Sequence, residues 1–211
     1  MWAFDFAARS WAPLPSPGFR VDDVCATPDG LVAVTSDYRR NGEIYADDPA
    51  RDSAGFAEGA SDDGYVNARV ATLPISATEG AWSAPSAPSS ALFSITAPRL
   101  SCTTDAVLLT DGDGISSLSV LINGSWRAGQ VPPEVADGYY PYRVLVGDDL
   151  LFVGSQPSDP IRVARVTGDG DIAWRDLPAP DVAPEAVVAT TSGDVVIIPG
   201  PDVTGTGVEA T

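Results

Sequence analysis

The stretch Gly138–Pro180, GYYPYRVLVGDDLLFVGSQPSDPIRVARVTGDGDIAWRDLPAP, decides the fold. It breaks into four apolar runs: Tyr140–Val146, Leu150–Gly154, Ile161–Val166 and Ala173–Leu177. Each run is short and rich in Val, Leu or aromatic residues, and each is bounded by Gly, Asp or Pro. That composition marks strands joined by tight turns. Four such strands in about 43 residues make one small antiparallel sheet, the size of a single unit in a radial repeat.

The rest of the chain reads as copies of this unit. Tryptophan followed by a Pro-rich exit recurs at Trp11 (SWAPLPSP), Trp82 (AWSAPSAP), Trp126 (SWRAGQVPP) and Trp174 (AWRDLPAP). After each exit comes a hairpin pattern: RVDDVCATPDGLVAVTSD from Arg20, RLSCTTDAVLLTD from Arg99, YRVLVGDDLLFVGS from Tyr142 and EAVVATTSGDVVIIPG from Glu185. The turns PDG, TDA, GDD and SGD fall at matching places, where Asp and Gly tolerate left-handed backbone. A third strand and then the Trp strand follow.

With strands lettered a to d from the axis outward, blade one spans about Phe19–Pro88, blade two Leu92–Pro133 and blade three Gly138–Pro180. The N-terminal segment Trp2–Pro15 supplies only c and d strands. The C-terminal segment Pro184–Pro199 supplies only an a–b hairpin. The expected fold is therefore all-β: a β-propeller of four blades, each of four antiparallel strands. Its ring closes where the N-terminal c–d strands pair with the C-terminal a–b hairpin and remove an open edge. A larger propeller of which this chain is a piece, or an open array, would give the same repeats. The tryptophans are expected to pack between blades.

Residues 1–200 are read as a single propeller domain. The longer first gap between tryptophans comes from an insertion, Asp37–Gly64, rich in Asp, Ala and Gly, between strands b and c of blade one. Long loops within compact domains tend to carry function, and b–c loops share the face that binds ligands in propellers. The tail 201–211 is read as extended.

Composition excludes several function classes. The chain has 211 residues, and 44% of them are hydrophobic, enough for a sizeable core. Twenty-nine acidic residues face 12 basic ones for a net charge of −17; every basic residue is Arg, and His is absent. Such a surface repels phosphate backbones and anionic lipid, so neither nucleic acid nor membrane is an expected partner. The same bias toward Arg, Ala, Gly, Asp and Pro follows from a GC-rich genome and aids solubility. No apolar run reaches the ~18 residues of a membrane span. MWAFDFAARSW lacks the features of a signal peptide; the protein is read as secreted if a leader was removed, and otherwise cytoplasmic. Without His there is no imidazole base or ligand, and two cysteines cannot build a structural zinc site. Cys25 and Cys102 fall on strand a of adjacent blades at places taken as equivalent, so they are expected to be two buried thiols, not a bond.

The overall pattern resembles β-propellers of the sialidase-like, BNR-repeat type. Their Asp-box turn, Ser-x-Asp-x-Gly-x-Thr-Trp between strands c and d, has degenerate counterparts in Ser76–Trp82 (SATEGAW) and Thr167–Trp174 (TGDGDIAW); Asn123–Trp126 (NGSW) keeps the turn and the Trp. The first carries Thr78 where Asp is expected, and the second carries Asp171 where Gly belongs. The resemblance implies a propeller and, in its enzymes, an arginine triad that holds a substrate carboxylate. Those enzymes are six-bladed and larger than this chain.

Arginine stands at the start of strand a in three blades, at Arg20, Arg99 and Arg143. Inner strands converge on the axis, so three guanidinium groups there would hold a carboxylate or phosphate through forked hydrogen bonds. The competing reading pairs each with Asp22, Asp23 or Asp137. Tyr139, Tyr140 and Tyr142 form a cluster on the loop before strand a, suited to an aromatic platform for a sugar or to simple packing beside Pro141. Sialidase-type chemistry would also need a Tyr–Glu pair, which the sequence does not bring together, and an acid such as Asp47 or Asp48. No catalytic residue is assigned. The Asp-Gly runs DGDG at Asp111–Gly114 and DGD at Asp169–Asp171 lack the full spacing of a calcium loop, as do the pairs Asp47–Asp48 and Asp62–Asp63, so no metal or cofactor is expected.

The sequence thus favours a non-enzymatic binding module whose loop face takes a glycan, a small anion or a protein partner. A sialidase-like glycoside hydrolase and a structural subunit of a larger assembly are the alternatives.

Overall fold

The computed structural model describes residues 2–5, 9–40, 43–45, 64–74, 81–88, 96–112 and 115–200. Most of the insertion, with Asp47, Asp48, Asp62 and Asp63, lies outside the described residues. So do Ser76–Gly80 of the first Asp-box-like turn, Asp113–Gly114 and the tail 201–211.

The chain is all-β, built from short antiparallel sheets in sequence order. β1 (Trp2–Asp5) and β2 (Ser10–Pro13) form a hairpin. The first larger sheet holds β3 (Asp23–Thr27), β4 (Gly30–Arg40), β5 (Glu43–Tyr45) and β6 (Gly64–Pro74). β4 lies between β3 and β6, and β5 pairs with its far end. The second sheet is a meander of β7 (Arg99–Cys102), β8 (Ala106–Thr110), β9 (Leu118–Ile122) and β10 (Ser125–Ala128). A single helical turn, α1 (Pro133–Ala136), leads on. The third sheet is a meander of β11 (Tyr142–Val146), β12 (Asp149–Val153), β13 (Ile161–Val166) and β14 (Ile172–Leu177). β15 (Pro184–Ala189) and β16 (Val195–Pro199) form a last hairpin.

Turn chemistry sets the registers. Asn123 and Gly124, with φ of 50° and 74°, make the two-residue link between β9 and β10. Both angles lie where only Gly, Asn and Asp rest easily. The Thr167–Asp171 turn links β13 to β14 and is held by the Thr167 amide on the Asp171 carbonyl at 2.8 Å.

The expected fourth strand at Trp82 is irregular. Residues 81–88 run beside β6 and touch it through a Val70–Ser86 bridge and a Ser83 amide bond to the Thr72 carbonyl at 2.8 Å. Pro85 and Pro88 lack the amide hydrogens that a regular ladder needs.

Burial explains the stacking. β8 and β12 are buried at every position, on both faces, so each middle strand must be covered on two sides. One core lies between the first and second sheets, around Val34, Val70, Leu109 and Trp126. A second lies between the second and third sheets, around Leu108, Leu118, Phe152 and Trp174. A third joins Leu151, Val153 and Val163 to Val187, Val195 and Ile197 of the last hairpin. The β1–β2 and β15–β16 hairpins stand as separate two-stranded sheets, and the joint sheet expected of the two chain ends is not formed.

The expectation of two thiols is overturned: Cys25 and Cys102 form a disulfide, with Cα atoms 5.7 Å apart. The error is an offset of one residue. Thr27 pairs with Gly30 across the β3–β4 turn, and the Thr103 amide donates to the Ala106 carbonyl across the β7–β8 turn. Counted back from these, Cys25 is two residues away and Cys102 is one. Side chains alternate along a strand, so the two sulfurs point to opposite faces of their own sheets and meet between them. By loop entropy a cross-link across 77 residues stabilises by about 4 kcal/mol. Denatured, unreduced protein should therefore titrate no free thiol. Cys25→Ser with Cys102→Ser should lower the thermal midpoint by about 10 °C in calorimetry.

Candidate functional site

Most of the arginines have partners. Arg69 meets Asp37 at 2.7 Å, Arg162 meets Asp176, and Arg20 meets Asp22 at 3.5 Å. Asp22 also accepts the Ser36 hydroxyl at 2.5 Å. Arg165 and Arg175 clamp Asp149 at 2.5 and 2.8 Å. Burial alone would raise the Asp149 pKa, but the hydrogen bonds and charges of Arg165 and Arg175 outweigh it and hold the carboxyl below its ordinary range.

Arg143 works differently. Its side chain reaches back from β11 to the end of β8, where Nη1 donates to the Thr110 hydroxyl and Nη2 donates to the Asp111 carbonyl at 2.7 Å. The guanidinium also lies over the Phe152 ring, 5.6 Å from its centre. Asp111 is itself buried and accepts from the Ser116 amide at 3.1 Å, the Ser116 hydroxyl and the Ser117 amide at 3.4 Å. Arg143 is thus braced against Thr110 and Asp111 of the neighbouring sheet.

Arg99 starts β7 and is exposed. Its guanidinium has no hydrogen bond or ion pair among the described residues. It borders a cavity of about 260 Å³ together with Arg143, Asp23, Gly112 and Pro141. Asp23 brings a carboxylate to the same cavity; its Oδ2 accepts the Leu100 amide at 2.9 Å and its Oδ1 the Val24 amide at 2.8 Å.

The structure therefore brings Arg99 and Arg143 together and leaves Arg20 beside Asp22. The tyrosines scatter. Tyr139 is on the surface. Tyr140 is buried edge-on against Phe152, and its hydroxyl accepts from Arg162 at 3.2 Å. Both border a separate cavity of about 240 Å³ with Glu134, Asp137 and Asp159. The Tyr142 hydroxyl donates to the Pro184 carbonyl at 2.8 Å and ties β11 to β15.

A larger cleft, about 470 Å³, opens at the opposite strand ends, between the β3–β4 and β7–β8 turns. Its floor is Val32, Val107 and Leu121, and Asp29, Asp105 and Asn123 are among its lining residues. Sequence reasoning singled out none of these residues as a site, since each reads as a strand or turn residue.

No protein-family model matches the chain, and no curated protein matches it in sequence. Among solved structures it is similar to virginiamycin B lyase from Staphylococcus aureus. A catalytically inactive variant with quinupristin matches at 16% identity over 89% of this chain and 72% of that one, with a TM-score of 0.38. The selenomethionine-substituted lyase matches at 16% identity over 94% and 76%, with a TM-score of 0.39. The sialidase-like resemblance is not shown by this likeness.

Two predictions follow from the arginine geometry. Arg143→Ala should cost about 1–3 kcal/mol in denaturant unfolding, since it strips a buried carbonyl and hydroxyl of their donor, whereas Arg99→Ala should stay within about 0.5 kcal/mol. Asp149→Asn should destabilise at neutral pH. The folded carboxyl titrates below its unfolded value of about 3.9, so its contribution is complete above that value and is lost as pH falls through the folded pKa. The stability gap between wild type and Asp149→Asn should hold constant from pH 7 to 5 and close in acid.

Proposed function

We propose that this protein is a non-enzymatic binding module that holds a small anion, such as the carboxylate of an acidic sugar, between Arg99 and Arg143. The observation that carries the reading is Arg99: in a chain with 29 acidic residues and 12 basic ones, an exposed guanidinium with no ion pair among the described residues borders a cavity. Arg143 is already immobilised, so little ordering entropy is lost when it meets a ligand. A guanidinium offers paired N–H donors matched to a carboxylate. At about 260 Å³ the cavity lies just under the usual range of roughly 300–1,000 Å³ for small-molecule sites, which suits a single sugar acid or a smaller ion.

Binding is favoured over hydrolysis by the state of the neighbouring groups. Both Asp23 oxygens accept amide hydrogens, and the Tyr140 and Tyr142 hydroxyls are engaged elsewhere. Among the described residues, the cavity lining offers one carboxylate, Asp23, and no second acid to pair with it. Nucleic acid and anionic membranes stay outside this reading, given the charge of −17. The disulfide supports an oxidising compartment. The reading includes a four-bladed ring, with residues 1–200 as one domain and the loop ends of the strands as the binding face.

The test is calorimetric titration with N-acetylneuraminate, glucuronate and inorganic phosphate, with glucose as the neutral control. The acidic ligands should bind, and Arg99→Ala should weaken them about tenfold or more, the worth of a charge-assisted hydrogen bond of about 1.5–3 kcal/mol. Equal affinity in Arg99→Ala, or equal binding of glucose, would refute the anion site. Turnover of nitrophenyl glycosides by wild type and not by Arg143→Ala would favour the hydrolase instead.

A further inference from the structure

Asp23 and Arg99 line the same cavity, yet they form no ion pair with each other. Elsewhere in this chain an arginine beside an aspartate closes on it, as Arg69 does on Asp37 at 2.7 Å and Arg175 on Asp149 at 2.8 Å. Here main-chain amides hold the carboxylate instead. Asp23 opens β3 and Arg99 opens β7 of the neighbouring sheet; Asp23 Oδ2 accepts from the Leu100 amide at 2.9 Å and Oδ1 from the Val24 amide at 2.8 Å. A carboxylate has about four acceptor sites on its two oxygens. Each oxygen of Asp23 therefore keeps capacity beyond its amide.

The walls around these charges are tied together. Cys25, two residues along from Asp23, is bonded to Cys102, three along from Arg99, so β3 and β7 are held covalently. Arg143 is anchored by the Thr110 hydroxyl and the Asp111 carbonyl. Within about 260 Å³ the cavity thus presents two guanidinium groups, one carboxylate and an apolar side made by Pro141, Leu145 and Leu150.

We propose that the ligand of this site is a small α-amino acid in its zwitterionic form, with its carboxylate on Arg99 and Arg143, its ammonium group on Asp23 and a short aliphatic side chain against Leu145 and Pro141. This rests on the anion site proposed above and names its ligand class. A plain carboxylate would enter beside the Asp23 carboxylate and be repelled by it. An ammonium group on the adjacent carbon turns that repulsion into a charge-assisted hydrogen bond, so Asp23 selects against acids that lack one. The charge of the whole chain favours the same class. A zwitterion has no net charge, and a protein at −17 does not repel it as it repels an anion. An amine without a carboxylate is drawn to acidic surface anywhere and leaves Arg99 unmatched in the cavity.

Calorimetric titration of the intact protein with L-alanine, L-lactate and ethylamine tests the class. L-lactate keeps the carboxylate and the methyl group and puts a hydroxyl where the ammonium stood; ethylamine has no carboxylate. L-alanine should bind at least about tenfold more tightly than either, the worth of one charge-assisted hydrogen bond. Asp23→Asn should weaken L-alanine about tenfold and leave L-lactate unchanged or tighter, because the repulsion goes with the acceptor. Equal binding of L-lactate and L-alanine to wild type would overturn the amino acid and leave the anion site standing, as would binding of glucuronate without binding of L-alanine. Ethylamine binding as tightly as L-alanine would overturn it too, since the arginines would then add nothing. No binding of L-alanine, L-lactate, glucuronate or phosphate would overturn the anion site itself. The wild-type comparison needs no variant and stands even where Asp23→Asn fails to fold. A folded Asp23→Asn that keeps the wild-type preference for L-alanine would overturn Asp23 as the partner of the ammonium group.

Discussion

The second and third sheets have two apolar faces and need cover on both. β8 and β12 make the demand plain, since all their side chains are buried whichever way they point. A strand covered on both sides reads as a continuous apolar run, AVLLT or LLFV, instead of an alternating one. Stacking sheet on sheet satisfies the interior ones and passes the problem outward. It ends at the first sheet and at the β15–β16 hairpin, where Val24 on one side and Val188, Val196 and Ile198 on the other remain in water.

The connections between sheets are of three physical kinds. The disulfide ties β3 and β7 covalently, and the Asp23 carboxylate accepts the Leu100 amide across the same pair. Arg143 and Tyr142 tie β11 to its two neighbours through carbonyl oxygens of Asp111 and Pro184. At the rim, indoles of Trp82 and Trp174 reach carbonyls in Pro-rich exits. These exits are good acceptors because proline leaves ladder positions unpaired and cannot continue a strand. Tryptophan suits the role because its large ring packs into the core while its single N–H finds a polar partner at the edge.

Much of this was legible in the sequence. The third sheet falls within the predicted stretch, because each of its strands is bounded by Gly, Asp or Pro and no insertion interrupts it. The disulfide was missed because Cys25 and Cys102 were matched by rough place along strand a; counting from the turns PDG and TDA would have put them on opposite faces. The irregular segment at Trp82 carries its reason in Pro85 and Pro88. Among the arginines, Arg20 differs from the other two by a signal that was in view. Residues two apart on an extended chain share a side, and two beyond Arg20 stands Asp22, its ion-pair partner. Two beyond Arg99 and Arg143 stand Ser101 and Leu145, which offer no charge. The tyrosines gave no such signal. Tyr139, Tyr140 and Tyr142 are neighbours in sequence, but a proline and a strand start between them send the side chains to surface, core and neighbouring sheet.

The charge of the whole molecule narrows what such an arginine pair can select. A net −17 sets up a repulsive potential for any anion, and the repulsion grows with the charge of the ligand. It reaches only about 8 Å through physiological salt, so a small ion in the proposed site would answer chiefly to the charges that border it, those of Arg99, Arg143 and Asp23. A long polyanion cannot do the same: one phosphate at Arg99 would leave its neighbours lying over an acidic surface. On the proposed reading, local attraction and global repulsion together would select for small size and low charge, and a single carboxylate on a compact neutral body would meet both conditions better than a phosphodiester chain or a lipid surface.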